Sequence, residues 1–120
     1  ILYAVLESGG YGAGFSSWAN EPSIAYDKRV VEFWLAHKND HNFMNTVDEC
    51  GLFGKEPSPA YQEASRFFKD IIGLDCCPYM GGFADIYIEW VPRGAAWKMG
   101  EYDGSEYIDY MTDNEWTCFN

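Results

Sequence analysis

The sequence predicts an α+β fold: an N-terminal β-hairpin, two α-helices and a C-terminal antiparallel β-sheet, all in one compact domain over residues 1–120. Three observations carry this. Two segments before residue 73 place apolar residues at helical spacing, the chain after residue 80 alternates with period two, and Asp103-Gly104 is a strong hairpin-turn signal. At 120 residues, 48% apolar and 18% aromatic, the chain can form one sizeable core and lies well outside the composition of disordered segments.

Leu2–Glu7 reads as a strand, broken by Gly9, Gly10, Gly12 and Gly14, with Phe15–Ala19 as its expected antiparallel partner. Asp27–Lys38 reads as a helix. Asp27 is its cap, and Val30, Val31, Trp34 and Leu35 form its apolar stripe. Asn39–Asn45 is polar and reads as irregular. Ser58-Pro59 starts a second helix, because the hydroxyl can cap while proline suits the first helical position. Tyr61, Ala64, Phe67, Phe68, Ile71 and Ile72 line one side of that helix, and Gly73 is placed to end it.

Phe83–Val91 reads as a strand. A two-residue turn at Asp103-Gly104 then fixes a register in which Tyr102 faces Ser105, Glu101 faces Glu106, Met99 faces Ile108, Lys98 faces Asp109 and Trp97 faces Tyr110. A loop at Thr112–Asn114 is expected to return a third strand, pairing Tyr110 with Trp116 and Ile108 with Cys118. Trp97, Met99, Ile108, Tyr110, Trp116 and Cys118 then share one face, which the helices should cover. Lys98, Gly100, Tyr102, Tyr107, Asp109 and Thr117 share the other. Glu101 and Glu106, set opposite each other near the turn, are expected to be solvated, since facing like charges destabilise a sheet.

Eight Lys and Arg against 19 Asp and Glu give a net charge of −11, and residues 99–120 hold six acids and no base. Such a surface repels DNA, RNA and anionic lipid, so neither direct nucleic-acid binding nor membrane association is expected. Ile1–Leu6 is too short an apolar run to span a bilayer and lacks the flanks of an export signal. Cys50, Cys76, Cys77 and Cys118 include an adjacent pair and no CxxC, and are read as reduced thiols of a cytosolic protein.

Few catalytic constellations survive inspection. His37 and His41 sit four apart but are separated by the helix-ending Asn39-Asp40, so a zinc site with Cys50 or Asp48 is not expected. The Gly9–Gly14 run lacks the Lys-Ser/Thr of a phosphate-binding loop, although its backbone N–H groups suit an anion. With both histidines in one segment and no GxSxG elbow, nucleophilic catalysis has no candidate centre. The chain reads as a protein that is not an enzyme and needs no cofactor. Its bases are scarce enough to follow. Arg93 and Lys98 flank the small-residue segment Gly94-Ala95-Ala96, where a ligand can approach backbone and two cations can meet a phosphate. Tyr102 and Tyr107 share the face of Lys98 and offer stacking surfaces. The plainer alternative is an exposed Lys98–Asp109 pair of ~1 kcal/mol or less.

The same segment carries a family resemblance. Val91-Pro92-Arg93-Gly94-Ala95-Ala96-Trp97-Lys98-Met99 followed by Glu101-Tyr102-Asp103-Gly104-Ser105-Glu106 resembles the ending V-P-x-G-T-x-F-R-I-x-E-Y-D-G-x-E of a group of small phage proteins. Tyr11–Ser17 loosely echoes their YGG(F/Y)-x-(L/V)-S opening. In this the chain is similar to the type 1 Thoeris anti-defence proteins, which sequester the cyclic ADP-ribose-type messenger made by bacterial TIR enzymes. The resemblance implies a catalysis-free sponge in the cytoplasm of an infected bacterium, assembled as a homo-oligomer around a small signalling nucleotide. It implies backbone contacts from Gly94 and Ala95 and a phosphate contact from Lys98. Arg66 and Phe68 are further ligand candidates by placement near the end of the second helix. Ala95 stands where the family has Thr, removing a hydroxyl, and Lys98 where it has Arg, removing a bidentate fork. An alternative of another class is an acidic nucleic-acid mimic that occupies the groove of a basic host restriction or CRISPR nuclease.

Overall fold

Asp103 and Gly104 both adopt positive φ, 50° and 90°, and close a two-residue turn between Trp97–Tyr102 and Ser105–Tyr110. The structure is a computed structural model that describes residues 1–111. The two strands pair in the predicted register from Trp97↔Tyr110 to Tyr102↔Ser105. The proposed third strand, with Trp116, Thr117 and Cys118, lies outside the described residues.

The remaining elements form an α+β arrangement. The first strand, β1 (Leu2–Ser8), is followed by 3-10 turns at Ser16–Trp18 and Pro22–Ala25. Helices α1 (Lys28–His37), α2 (His41–Thr46) and α3 (Pro59–Arg66) come next. A π-helical turn, Phe67–Ile72, continues α3 and ends at Gly73 with φ of 92°. Then follow β2 (Ile86–Pro92) and the hairpin strands, β3 (Trp97–Tyr102) and β4 (Ser105–Tyr110).

Three expectations about the elements and their packing need correction. The partner of β1 is β2, from Leu2↔Pro92 to Ser8↔Ile86, and the 15–19 segment instead turns as a 3-10 helix. Strand pairing across 78 to 90 residues of chain is set by the core and leaves no local signal. The 39–45 stretch is not irregular, because Asp40 accepts a hydrogen bond from the Phe43 N–H (3.0 Å) and starts α2. The C-terminal hairpin packs on the β1–β2 ribbon rather than on the helices. Two apolar clusters make this clear. Leu6 and Ile86, on one face of the ribbon, join Phe15, Val30, Trp34, Phe43, Phe68 and Phe83 under the helices. Val5 and Val91, on the other face, meet Trp97, Met99 and Ile108 of the hairpin. The ribbon is therefore a middle layer, and Val5, Leu6, Glu7 and Ser8 are all buried.

The helices are placed by caps and small residues. Asp27 caps α1 by accepting from Arg29 N–H (2.9 Å), and Trp34 on its inner face donates to the Phe83 carbonyl (3.1 Å). Ser58 caps α3 as predicted, accepting from Tyr61 N–H (3.0 Å). Ala60, Ala64 and Phe68 recur every four residues on its buried side, so small side chains let α3 approach its neighbours closely.

Glu106 does not stay in solvent. It is 2% exposed, and its carboxylate accepts hydrogen bonds from Ser8 N–H (2.7 Å), Phe15 N–H (2.9 Å), Ser17 N–H (2.9 Å) and the Ser17 hydroxyl. The residues that flank the glycine-rich segment, and not its own N–H groups, thus cradle an anion, and the anion is the chain's own. Glu101 remains exposed and accepts from Trp18 Nε1 (3.1 Å) and Gly104 N–H (2.7 Å). Each of the facing acids has its own set of donors, which is how the sheet tolerates the pair.

Glu7 is the opposite case. Both of its carboxylate oxygens are buried with no hydrogen-bond partner among the described residues. Burial pushes its pKa up to about 7, and Glu89 and Glu106 push in the same direction. The Tyr87 hydroxyl pulls the other way, yet makes no hydrogen bond to either oxygen.

Two outcomes are expected from these carboxylates. Glu106→Gln replaces an acceptor by a donor facing N–H groups, and should cost about 2–4 kcal/mol in urea unfolding. Between the ordinary value of 4.5 and about 7, native Glu7 holds a proton that the unfolded chain has released. Stability from this group is therefore greatest at low pH and falls as pH rises through that window. Glu7→Gln should remove the decline, gaining about 1–3 kcal/mol over the parent at pH 8 and little or nothing at pH 5.

Candidate functional site

Pro92 ends β2, and Gly94 takes a φ of 85° that only a residue without Cβ adopts at low cost. The chain therefore turns sharply beside the open end of the ribbon, where the Arg93 N–H donates to the Ile1 carbonyl (2.8 Å). Arg93 and Gly94 there line a cleft of about 670 Å³ together with Leu2, Tyr3, Ala4, Tyr26, Lys28 and Val31. Its volume lies in the range of small-molecule sites. Tyr3 and Tyr26 also border a second hollow of about 430 Å³ that reaches Pro22, Trp97 and Met99. The Tyr26 ring stands edge-on to both Tyr3 (6.4 Å between centroids) and Trp97 (5.9 Å), and the Trp97 indole N–H donates to the Tyr3 hydroxyl.

The electrostatics of the cleft come from two cations on different elements. Lys28 is the first residue of α1, and its pair with Glu32 is long (4.0 Å) and exposed, so it is weakly held. Arg93 makes no ion pair among the described residues. Beside them, Arg29 and Asp27 are mutually satisfied at 2.8 Å, and the Arg29 hydrogen bond holds the Asp27 carboxyl below its usual range. That pairing leaves Lys28 and Arg93 as the cations that line the cleft. Two tyrosines and two cations lining one cleft suit a molecule that carries both a phosphate and a flat ring.

The other predicted site residues disperse. Ala95 is half-buried against the hairpin cluster. Lys98 lies on the exposed side of β3, 3.9 Å from Asp109, as the plainer alternative has it. Tyr107 lies across Gly100, and Tyr102 pairs edge-on with Tyr11 (6.5 Å), so both rings stand on the hairpin and not in the cleft. Arg66 is exposed on α3, bordering shallow hollows with Gln62 and Lys69 on one side and Asn42 and Glu63 on the other. Phe68 is corrected outright: it is 0% exposed and packs on Phe15 (6.2 Å), so it has no surface for a ligand. Lys28, Tyr3 and Tyr26 went unselected because each looks like an ordinary helix start, strand or turn residue, and β1–β2 pairing is what gathers them.

Elsewhere, His37 is held by the Phe33 carbonyl (2.8 Å) and Glu63 (3.1 Å) and stacks on Phe43, which accounts for it as a packed side chain. No group of three or more His, Cys, Asp and Glu residues able to hold a metal occurs among the described residues. Burial pushes the Cys77 thiol up to about 11. Among the described residues no helix is long and apolar enough to cross a membrane. Compared with known protein families, curated proteins and solved structures, the chain matches none.

Proposed function

We propose that this protein is a non-catalytic binder that captures a small nucleotide in the cleft between Tyr3, Tyr26, Lys28 and Arg93. The observation that carries this reading is the convergence of two cations and an aromatic wall on one cleft, in a chain whose net charge is −11. A local site of this kind can hold an anion despite the total charge, because charges more than about 8 Å away are largely screened at physiological salt. The Gly94 turn favours close approach, and the second hollow past Tyr26 extends the aromatic surface for a base.

The resemblance over Val91–Glu106 supplies the biological side of the proposal. The protein is a phage-encoded sponge that sequesters a host immune messenger, of cyclic ADP-ribose type or a cyclic oligonucleotide, in the infected cell's cytoplasm. It acts as a homo-oligomer and returns its ligand unchanged. The residues assigned to the ligand are Arg93, Gly94, Lys28, Tyr3 and Tyr26, with Ala95 supporting the turn.

Thermal shift against a panel of cyclic dinucleotides, NAD, ADP-ribose and cyclic ADP-ribose isomers tests the proposal. A true ligand at 100 times its Kd should add about 2.7 kcal/mol of stability and be recovered intact after heating. Arg93→Glu and Lys28→Glu should each weaken capture at least about tenfold, whereas Lys98→Glu, outside the cleft, should change it less than about threefold. Degraded nucleotide would turn the protein into an enzyme, and a panel without any stabilising member would end the sponge reading.

A further inference from the structure

We propose that the opposite end of the ribbon, where the glycine segment meets the β3–β4 turn, is a docking surface for an arginine-bearing basic segment of another protein. Four large rings are exposed there: Tyr11 and Tyr102 at 73%, Tyr79 at 50% and Trp18 at 41%. They are arranged in pairs, Tyr11 edge-on to Tyr102 at 6.5 Å and Trp18 against Tyr79 at 5.2 Å. Exposed aromatic rings in such a cluster are what protein interfaces use as anchors.

Part of this surface is also held in place before any partner arrives. Trp18 donates to Glu101, Glu101 accepts from Gly104 N–H, and Gly12 N–H donates to the Asp103 carbonyl. Tyr79 lies against Gly81, where a Cβ would collide with the ring. Behind them, the Glu106 carboxylate ties the backbone at Ser8, Phe15 and Ser17 to β4. A surface whose backbone and Trp18 ring are already held loses less entropy on binding.

Charge decides the partner. The contributing segments, residues 8–19, 79–85 and 100–107, contain no lysine or arginine. They do contribute the exposed carboxylates Asp85, Glu101 and Asp103. Rings beside carboxylates match a guanidinium, which stacks on the one and forks onto the other; an ammonium uses the pair less fully. Nucleic acid and anionic membranes are repelled by the same acids. This surface is separate from the nucleotide cleft and does not depend on it.

Isothermal titration at physiological salt, with amidated hexa-arginine and hexa-lysine peptides as probes, provides the test. Arginine should bind at least about fivefold tighter than lysine, since only its fork and stacking face are fully used. The paired change Tyr11→Ser with Tyr102→Ser leaves the charge untouched and removes two exposed rings. It should weaken the arginine peptide at least about tenfold and abolish the preference, with the melting temperature unchanged. Equal binding of both peptides, or full affinity in the paired variant, would reduce the interaction to general attraction by an acidic chain and overturn the proposal. Trp18→Phe, which keeps a ring and loses the bond to Glu101, gives a second reading should the paired variant unfold. A loss of arginine preference there supports the surface, and its retention at full affinity overturns it.

Discussion

A single buried carboxylate holds three otherwise separate pieces of backbone together. Glu106 projects from β4 toward the first strand and accepts from Ser8, Phe15 and Ser17, which belong to the end of β1 and the turn that follows it. Amide hydrogen bonds to a charged acceptor are stronger than neutral ones, and here they gain from a shared, dry setting. Without this acceptor, three backbone donors would be stranded beside the core. The glycines around it follow from the same close approach. A Cβ on Gly104 would collide with Ala13, and one on Gly82 would collide with the backbone of Ala13 and the hydroxyl of Ser8.

This tether makes the β1–β2 ribbon a middle layer. One of its faces is committed to the helical core and the other to the hairpin, so a polar residue on β1 has no solvent to reach. Glu7 bears the consequence. It sits on the face shared with Tyr87 and Glu89, close to Glu106 and without a partner of its own, and the acid form is favoured as a result. Two carboxylates on strands of different sheets that pack together thus experience opposite environments, one ringed by donors and the other deprived of them.

The ribbon also separates the molecule's two chemical surfaces. The cation-lined cleft lies at the Leu2 end of β1, and the acidic aromatic surface lies just past Ser8 at the other end. A seven-residue strand spans about 20 Å, more than twice the distance over which charges are felt at physiological salt. An overall charge of −11 therefore says little about what either end attracts. Lys28 and Arg93 set the field locally at one end, and Asp85, Glu101 and Asp103 set it at the other.

Interactions between residues close in the chain were legible from the sequence. Asp103-Gly104 alone fixed the hairpin register, because few residues tolerate two successive positive φ angles. Asp27, Ser58 and Gly73 marked helix ends, because capping satisfies donors and carbonyls within one turn. Arg93 and Lys98 stood out as cations flanking the small-residue segment at Gly94, and of the two only Arg93 lines the cleft. What the tertiary structure alone decided was which distant segments meet: β1 with β2, Glu106 with Ser8, Phe15 and Ser17, and Tyr3, Tyr26 and Lys28 with Arg93. Those meetings are chosen by the burial of apolar faces from across the whole chain, and no window of neighbouring residues contains that information.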